Sequence, residues 1–135
     1  MNTAQLKKVI KYGVKKLNEK EEVIDYFRRH VGDEKRVSVF KIISSDGKLM
    51  AGGFAFDGEK FIYLDEETVK SLKNPTVIFK TTEDMVWNLI LGKIELESAV
   101  YLGEVQVEGA YWLRDVALFT RAFKEFHSIF QNLYK

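Results

Sequence analysis

Apolar positions change their period several times along the chain, and each change marks an element. Leu6, Val9, Ile10, Gly13, Val14 and Leu17 recur at three- and four-residue steps with lysines between them, which predicts an amphipathic helix over 3–17 capped at Thr3. Val23, Ile24, Tyr26 and Phe27 predict a second helix from Glu19 to His30, ended by Val31-Gly32-Asp33. The period then drops to two. Val37 to Ser45, Lys48 to Phe56 and Lys60 to Leu64 are β-branched or aromatic runs parted by Ser-Asp-Gly and Asp-Gly-Glu, both hairpin signals. A short helical segment, Glu66 to Leu72, leads to the only proline, Pro75, which opens a fourth strand, Thr76 to Thr81. Helices over Glu83 to Leu91 and Glu95 to Tyr101, a fifth strand over Glu104 to Gly109 and a long closing helix over Trp112 to Leu133 complete the order α-α-β-β-β-α-β-α-α-β-α. This order predicts an α+β fold, a five-stranded mixed or antiparallel sheet with helices covering one face.

Two stretches carry more apolar bulk than a small sheet usually needs. Met85 to Leu91 is apolar nearly all round, so it must be buried on several sides or face something other than water. The closing helix lines up Trp112, Val116, Phe119, Phe123, Phe126, Phe130 and Leu133 on one seam, widened by Leu113, Leu118, Ala122 and Ile129. Such a seam can be ordinary core, a dimer contact or the lid of a cavity. Gly52 and Gly53, in mid-strand, predict a bulge or open space beside the sheet.

Between these stretches runs GKIELESAVYLGEVQVEG, with fixed landmarks at Gly92, Lys93, Ala99, Gly103 and Gly109 and alternating Val105 and Val107. This spacing resembles the second half of the sterol-carrier-protein-type lipid-binding domain, whose members read G-K-x-x-x-x-(S/A)-A-x-x-x-G-x-(L/V)-x-(I/V)-x-G there. The resemblance implies one such domain over 1–135, with a hydrophobic cavity or tunnel and no catalytic residue. It also implies a small hydrophobic ligand, a fatty acyl or isoprenoid lipid. By periodicity, the candidate lining residues are Met85, Leu89, Val105, Val107, Trp112, Val116, Phe119, Phe123, Phe126 and Phe130. Gly92 is expected to close its helix in a left-handed conformation and Gly103 to allow close backbone approach. The alternative is a non-catalytic interaction or dimerisation module, or an accessory subunit of a lipid-metabolising enzyme, using the Phe-rich helix.

Composition narrows the remaining classes. With 46% hydrophobic and 30% charged residues, the 135-residue chain is expected to fold around a real core. A net charge of +1 gives no global field toward nucleic acid or anionic membrane. Lys7-Lys8, Lys15-Lys16 and Arg28-Arg29 nevertheless give the first two helices a basic face suited to transient membrane contact. Without cysteine, disulfides and thiolate chemistry are excluded. His30 and His127 make too thin a set for a metal site, no serine sits in G-x-S-x-G, and Gly92-Lys93 lacks the frame of a phosphate loop. No cofactor is expected. Nothing in the sequence reads as a signal peptide or a membrane-spanning run, so a cytoplasmic location is expected.

Overall fold

A computed structural model describes residues 2–31, 37–44, 46, 50–65, 67–72, 75–109 and 112–134, and of His30, Val31, Met50, Ala51, Lys70, Ser71 and Trp112 the backbone alone. The elements are α1 (Thr3–Glu19), α2 (Glu21–Val31), β1 (Ser38–Ile43), β2 (Met50–Phe56), β3 (Phe61–Leu64), α3 (Thr68–Ser71), β4 (Val77–Thr82), α4 (Glu83–Ile90), α5 (Leu96–Tyr101), β5 (Gln106–Gly109) and α6 (Trp112–Leu133). Their order is the one that the periodicity predicts. The cap of α1 differs. Asn2, not Thr3, accepts from the Gln5 backbone N–H, while the Gln5 side chain accepts in return from the Asn2 N–H. Thr3 is the first helical residue, and its hydroxyl donates instead to the Glu83 carboxylate, 2.8 and 2.9 Å from its two oxygens.

The sheet runs β3-β2-β1-β4-β5, with β1 and β4 parallel and the other pairs antiparallel. Because side chains alternate across a strand, Ser38, Phe40 and Ile42 share a face opposite to Val39. Register lines up Tyr63, Phe54, Phe40, Phe79 and Val107 as one row across all five strands. Phe40 stacks on Phe54 and on Phe79, at 5.6 and 5.9 Å between ring centroids. This row is the floor on which α6 lies.

The helical layer is held down by apolar burial, the largest favourable contribution to folding. Leu6, Val9, Ile10, Val14 and Leu17 of α1, with Val23, Ile24 and Phe27 of α2, join the core beneath α4 and α6. Gly13 lets α1 meet α6, since a Cβ there would stand 2.1 Å from Cδ1 of Phe126. The sheet's other face is not bare, as a helices-on-one-face layout would leave it. There Val39, Ala55 and Leu64 pack with Val69 of α3.

Strand ends follow local chemistry. The Asp57-Gly58-Glu59 turn forms as predicted: the Asp57 carboxylate accepts from the backbone N–H of Glu59 at 2.8 Å and of Lys60 at 2.9 Å. The Ser-Asp-Gly turn and the end of α2 at Gly32-Asp33 lie outside the described residues. A register shift between Ile42 and Ile43 marks the bulge expected near Gly52. Open space beside it is not found, because a Cβ on Gly53 would meet the Phe40 carbonyl at 2.1 Å. At the β3 edge, the Asn18 carboxamide donates to the Phe61 carbonyl at 2.9 Å and accepts from its N–H at 2.8 Å, standing in for a neighbouring strand.

Candidate functional site

Two short helices and one long one frame the site. Thr82 caps α4, its hydroxyl accepting from the Met85 N–H at 3.3 Å, with Glu83 and Asp84 in the first turn. At the other end Gly92 has φ +75°, its N–H donates to Leu89 at 3.2 Å and that of Lys93 to Asn88 at 2.9 Å, a Schellman closure. α5 ends the same way. Gly103 has φ +77°, its N–H donates to Val100 at 3.0 Å, and that of Glu104 donates to Ala99 at 2.9 Å. Gly103 therefore terminates a helix and does not mediate close approach: a Cβ there would meet nothing within 4 Å. The close approach belongs to Gly109, whose Cβ would stand 2.3 Å from the Thr76 carbonyl.

The link between these closures carries Ile94, Glu95 and Leu96 to the flank of α6. There Thr120, Phe123, Lys124 and His127 stand at i, i+3, i+4 and i+7, one helical stripe. With Leu89 and Gly92 they enclose a cleft of about 440 Å³. Thr120 and Lys124 also line an adjoining cleft of about 360 Å³ with Tyr26, Glu97, Leu113, Val116, Ala117 and Arg121. The two make one groove along α6, its floor apolar and its rim charged.

His127 fixes one end of this groove. Its Nδ1 lies 2.6 Å from the carbonyl oxygen of Ile90 and must donate there, so the neutral ring accepts at Nε2 from the Gln131 amide, 3.1 Å away. This bond ties the C-terminal turn of α4 to α6, as Thr3 and Glu83 tie its first turn to α1. α4 is thus anchored at both ends.

The residues expected to line a cavity separate into several places. Leu89 and Phe123 reach the larger cleft and Val116 the smaller. Phe119 and Phe126 are fully buried against the sheet's aromatic row, Phe119 edge-on to Phe40, Phe54 and Phe79 and Phe126 edge-on to Phe54 at 5.0 Å. Rings fill the interval between sheet and α6. Val105 is buried, and Val107, Met85 and Phe130 are partly buried against the same core, Phe130 packing on Trp87 at 5.4 Å. The Trp112 side chain lies outside the described residues. In the sequence framework, Ala99 is buried, Lys93 exposed, and the three glycines act as above.

Sequence reasoning missed Ile94, Leu96, Thr120, Lys124 and His127. Ile94 and Leu96 flank a charged residue between two Leu-Gly pairs, a readable signal, whereas the stripe through Thr120 and His127 repeats at helical spacing but mixes apolar, polar and charged side chains and so carries none of its own. It also missed the buried pair formed where the Ser38 hydroxyl donates to the Asp115 carboxylate, joining β1 to α6. The basic faces are partly neutralised. Lys16 pairs with Glu19 at 3.3 Å, and Arg28 lies 3.7 Å from both Asp25 and Glu59. Among the described residues no helix is long and apolar enough to cross a membrane.

Comparison of the sequence with protein-family models and with curated proteins returns no match. Solved structures do match. Apo sterol carrier protein 2 from Yarrowia lipolytica superposes with a TM-score of 0.57 at 16% identity, over 90% of this chain and 88% of that one. Sterol carrier protein domain 2 of Helicoverpa armigera gives 0.56 at 19% identity, over 90% and 87%. A UbiJ-SCP2 ubiquinone synthesis protein gives 0.56 at 12% identity, over 92% and 94%. With the helix and strand order, the mixed sheet and the twin glycine closures in place, the chain has the sterol-carrier-protein-2 fold.

Proposed function

We propose that this protein binds the apolar chain of a lipid-type ligand in the cleft between the α4–α5 link and α6, as a carrier and not a catalyst. The cleft itself carries the reading: about 440 Å³ with Leu89, Ile94, Leu96 and Phe123 as apolar walls, within the usual size of small-molecule sites. Burying one methylene contributes about 0.8 kcal/mol. Ten methylenes would offer roughly 8 kcal/mol before ordering costs, so micromolar binding needs a longer buried chain or added contacts from the polar group.

Titration with a fluorescent fatty acid, following emission of the buried Trp87, is expected to saturate in the micromolar range. Leu96→Trp should fill the cleft and abolish binding while leaving the circular-dichroism spectrum unchanged. Absence of saturable binding, or full binding by a folded Leu96→Trp variant, would sink the proposal.

A second reading has its own observation. Tyr101 and Leu102, consecutive at the end of α5, are 69% and 68% exposed, an apolar surface suited to a protein partner. An accessory subunit would use that surface and not Phe119, Phe123 and Phe126, which are buried within this chain.

A further inference from the structure

The groove along α6 carries opposite charges on opposite walls. Arg121 and Lys124 stand on the α6 side; Glu95 and Glu97 stand across from them at the start of α5. Glu95 faces Lys124 across the larger cleft, and Glu97 faces Arg121 and Lys124 across the smaller. Among the described residues no ion pair joins the two walls. Arg121 instead approaches Glu125 at 3.9 Å, and Glu125 is itself held by Lys20 at 2.5 Å. Both acids and Lys124 are exposed, so any of them can turn toward a group in the groove.

The charges meet where the clefts join, at Thr120 and Lys124. An anion placed there gains from Lys124 and is repelled by the glutamates, a cation meets the reverse, and a neutral polar group can hydrogen-bond to either wall but gains no charge–charge attraction. A group bearing both signs gains on both walls. We propose that the groove takes an amphiphile whose polar group is a zwitterion, its cationic end toward Glu95 and Glu97 and its anionic end toward Lys124 and Arg121. This rests on the reading that the larger cleft holds the apolar tail.

Four probes sharing a dodecyl tail test it below their micelle concentrations: dodecylphosphocholine, dodecyl phosphate, dodecyltrimethylammonium and dodecanol. Each displaces the fluorescent fatty acid, or is followed by backbone amide shifts of Ile94 and Thr120. Dodecylphosphocholine is expected to bind tightest, by about two- to fivefold for each exposed ion pair that a competitor lacks. Lys124→Glu should move the preference to dodecyltrimethylammonium, and the double variant Glu95→Lys, Glu97→Lys to dodecyl phosphate. All three positions are solvent-facing, so melting curves should stay unchanged. Equal binding of the four probes, or tightest binding of dodecyl phosphate to the unaltered protein, would overturn the headgroup assignment and leave the tail site standing. Binding of none would overturn both.

Discussion

Asp65 closes the first turn of α3 with its side chain. Oδ1 accepts from the Glu67 N–H at 3.0 Å and the Thr68 N–H at 2.8 Å, while the Thr68 hydroxyl accepts from the Asp65 N–H at 2.8 Å. The Thr68 backbone N–H, and next its hydroxyl, hold this carboxyl below the usual aspartate range. Its folded pKa is therefore below its unfolded value. The cap contributes stability that is complete above the ordinary range and is lost as pH falls through the folded value. The amide resonances of Glu67 and Thr68 should accordingly titrate with a midpoint below the usual aspartate value, and Asp65→Asn should remove that acid step. A midpoint at or above the usual aspartate value would contradict the cap. At this scale the sequence is least legible. Leu91-Gly92 and Leu102-Gly103 look alike because both are Schellman ends, yet only the hydrogen bonds show that Gly103 needs its positive φ and not empty space. Thr3 reads as a cap, but Asn2 beside it offers a better-placed oxygen, and Thr3 is drawn to Glu83, a partner distant in sequence.

α6 is an element with two working stripes. Phe119, Phe123 and Phe126 meet the sheet, while Leu113, Ala117, Thr120, Lys124 and His127 face the groove. Phe119 is surrounded by rings of Phe40, Phe54 and Phe79 at 5.2 to 5.4 Å. Phe123 touches Phe40 and Phe54 on one side and borders the cleft on the other. Phe119→Ala should cost the roughly 3–5 kcal/mol of a packed core ring, and Phe123→Ala measurably less, because part of its space is already open. Urea melts of the two variants decide this, and equal losses would mean that the cleft does not reach Phe123. The phenylalanine seam was legible because apolar residues at helical spacing announce themselves. The second stripe was not, since it mixes apolar, polar and charged side chains, as any solvated helix face does.

Across the whole molecule, the first helix and the last close on each other through Gly13 and Phe126. Alanine at Gly13 gains helix propensity of about 1 kcal/mol but sets a methyl inside the Phe126 ring, which Phe54 and Phe123 hold in place at 5.0 and 5.7 Å. Gly13→Ala should therefore be destabilising on balance, by about 1–3 kcal/mol. Combined with Phe126→Leu, the loss should fall clearly short of the sum of the two single losses. Additive losses would place the two residues out of contact. The sequence made the element order readable, because each change of period is a local signal. It did not make the parallel pairing of β1 with β4 readable, since that pairing joins strands separated by two further strands and a helix. The same separation bears on synthesis. A growing chain releases α1 well before α6, so Gly13 leaves the ribosome long before the Phe126 ring that packs on it, and Leu6, Val9 and Ile10 before the core they share with α6 is complete. Until α6 has emerged, that amphipathic segment offers its apolar stripe to whatever chaperone waits at the exit.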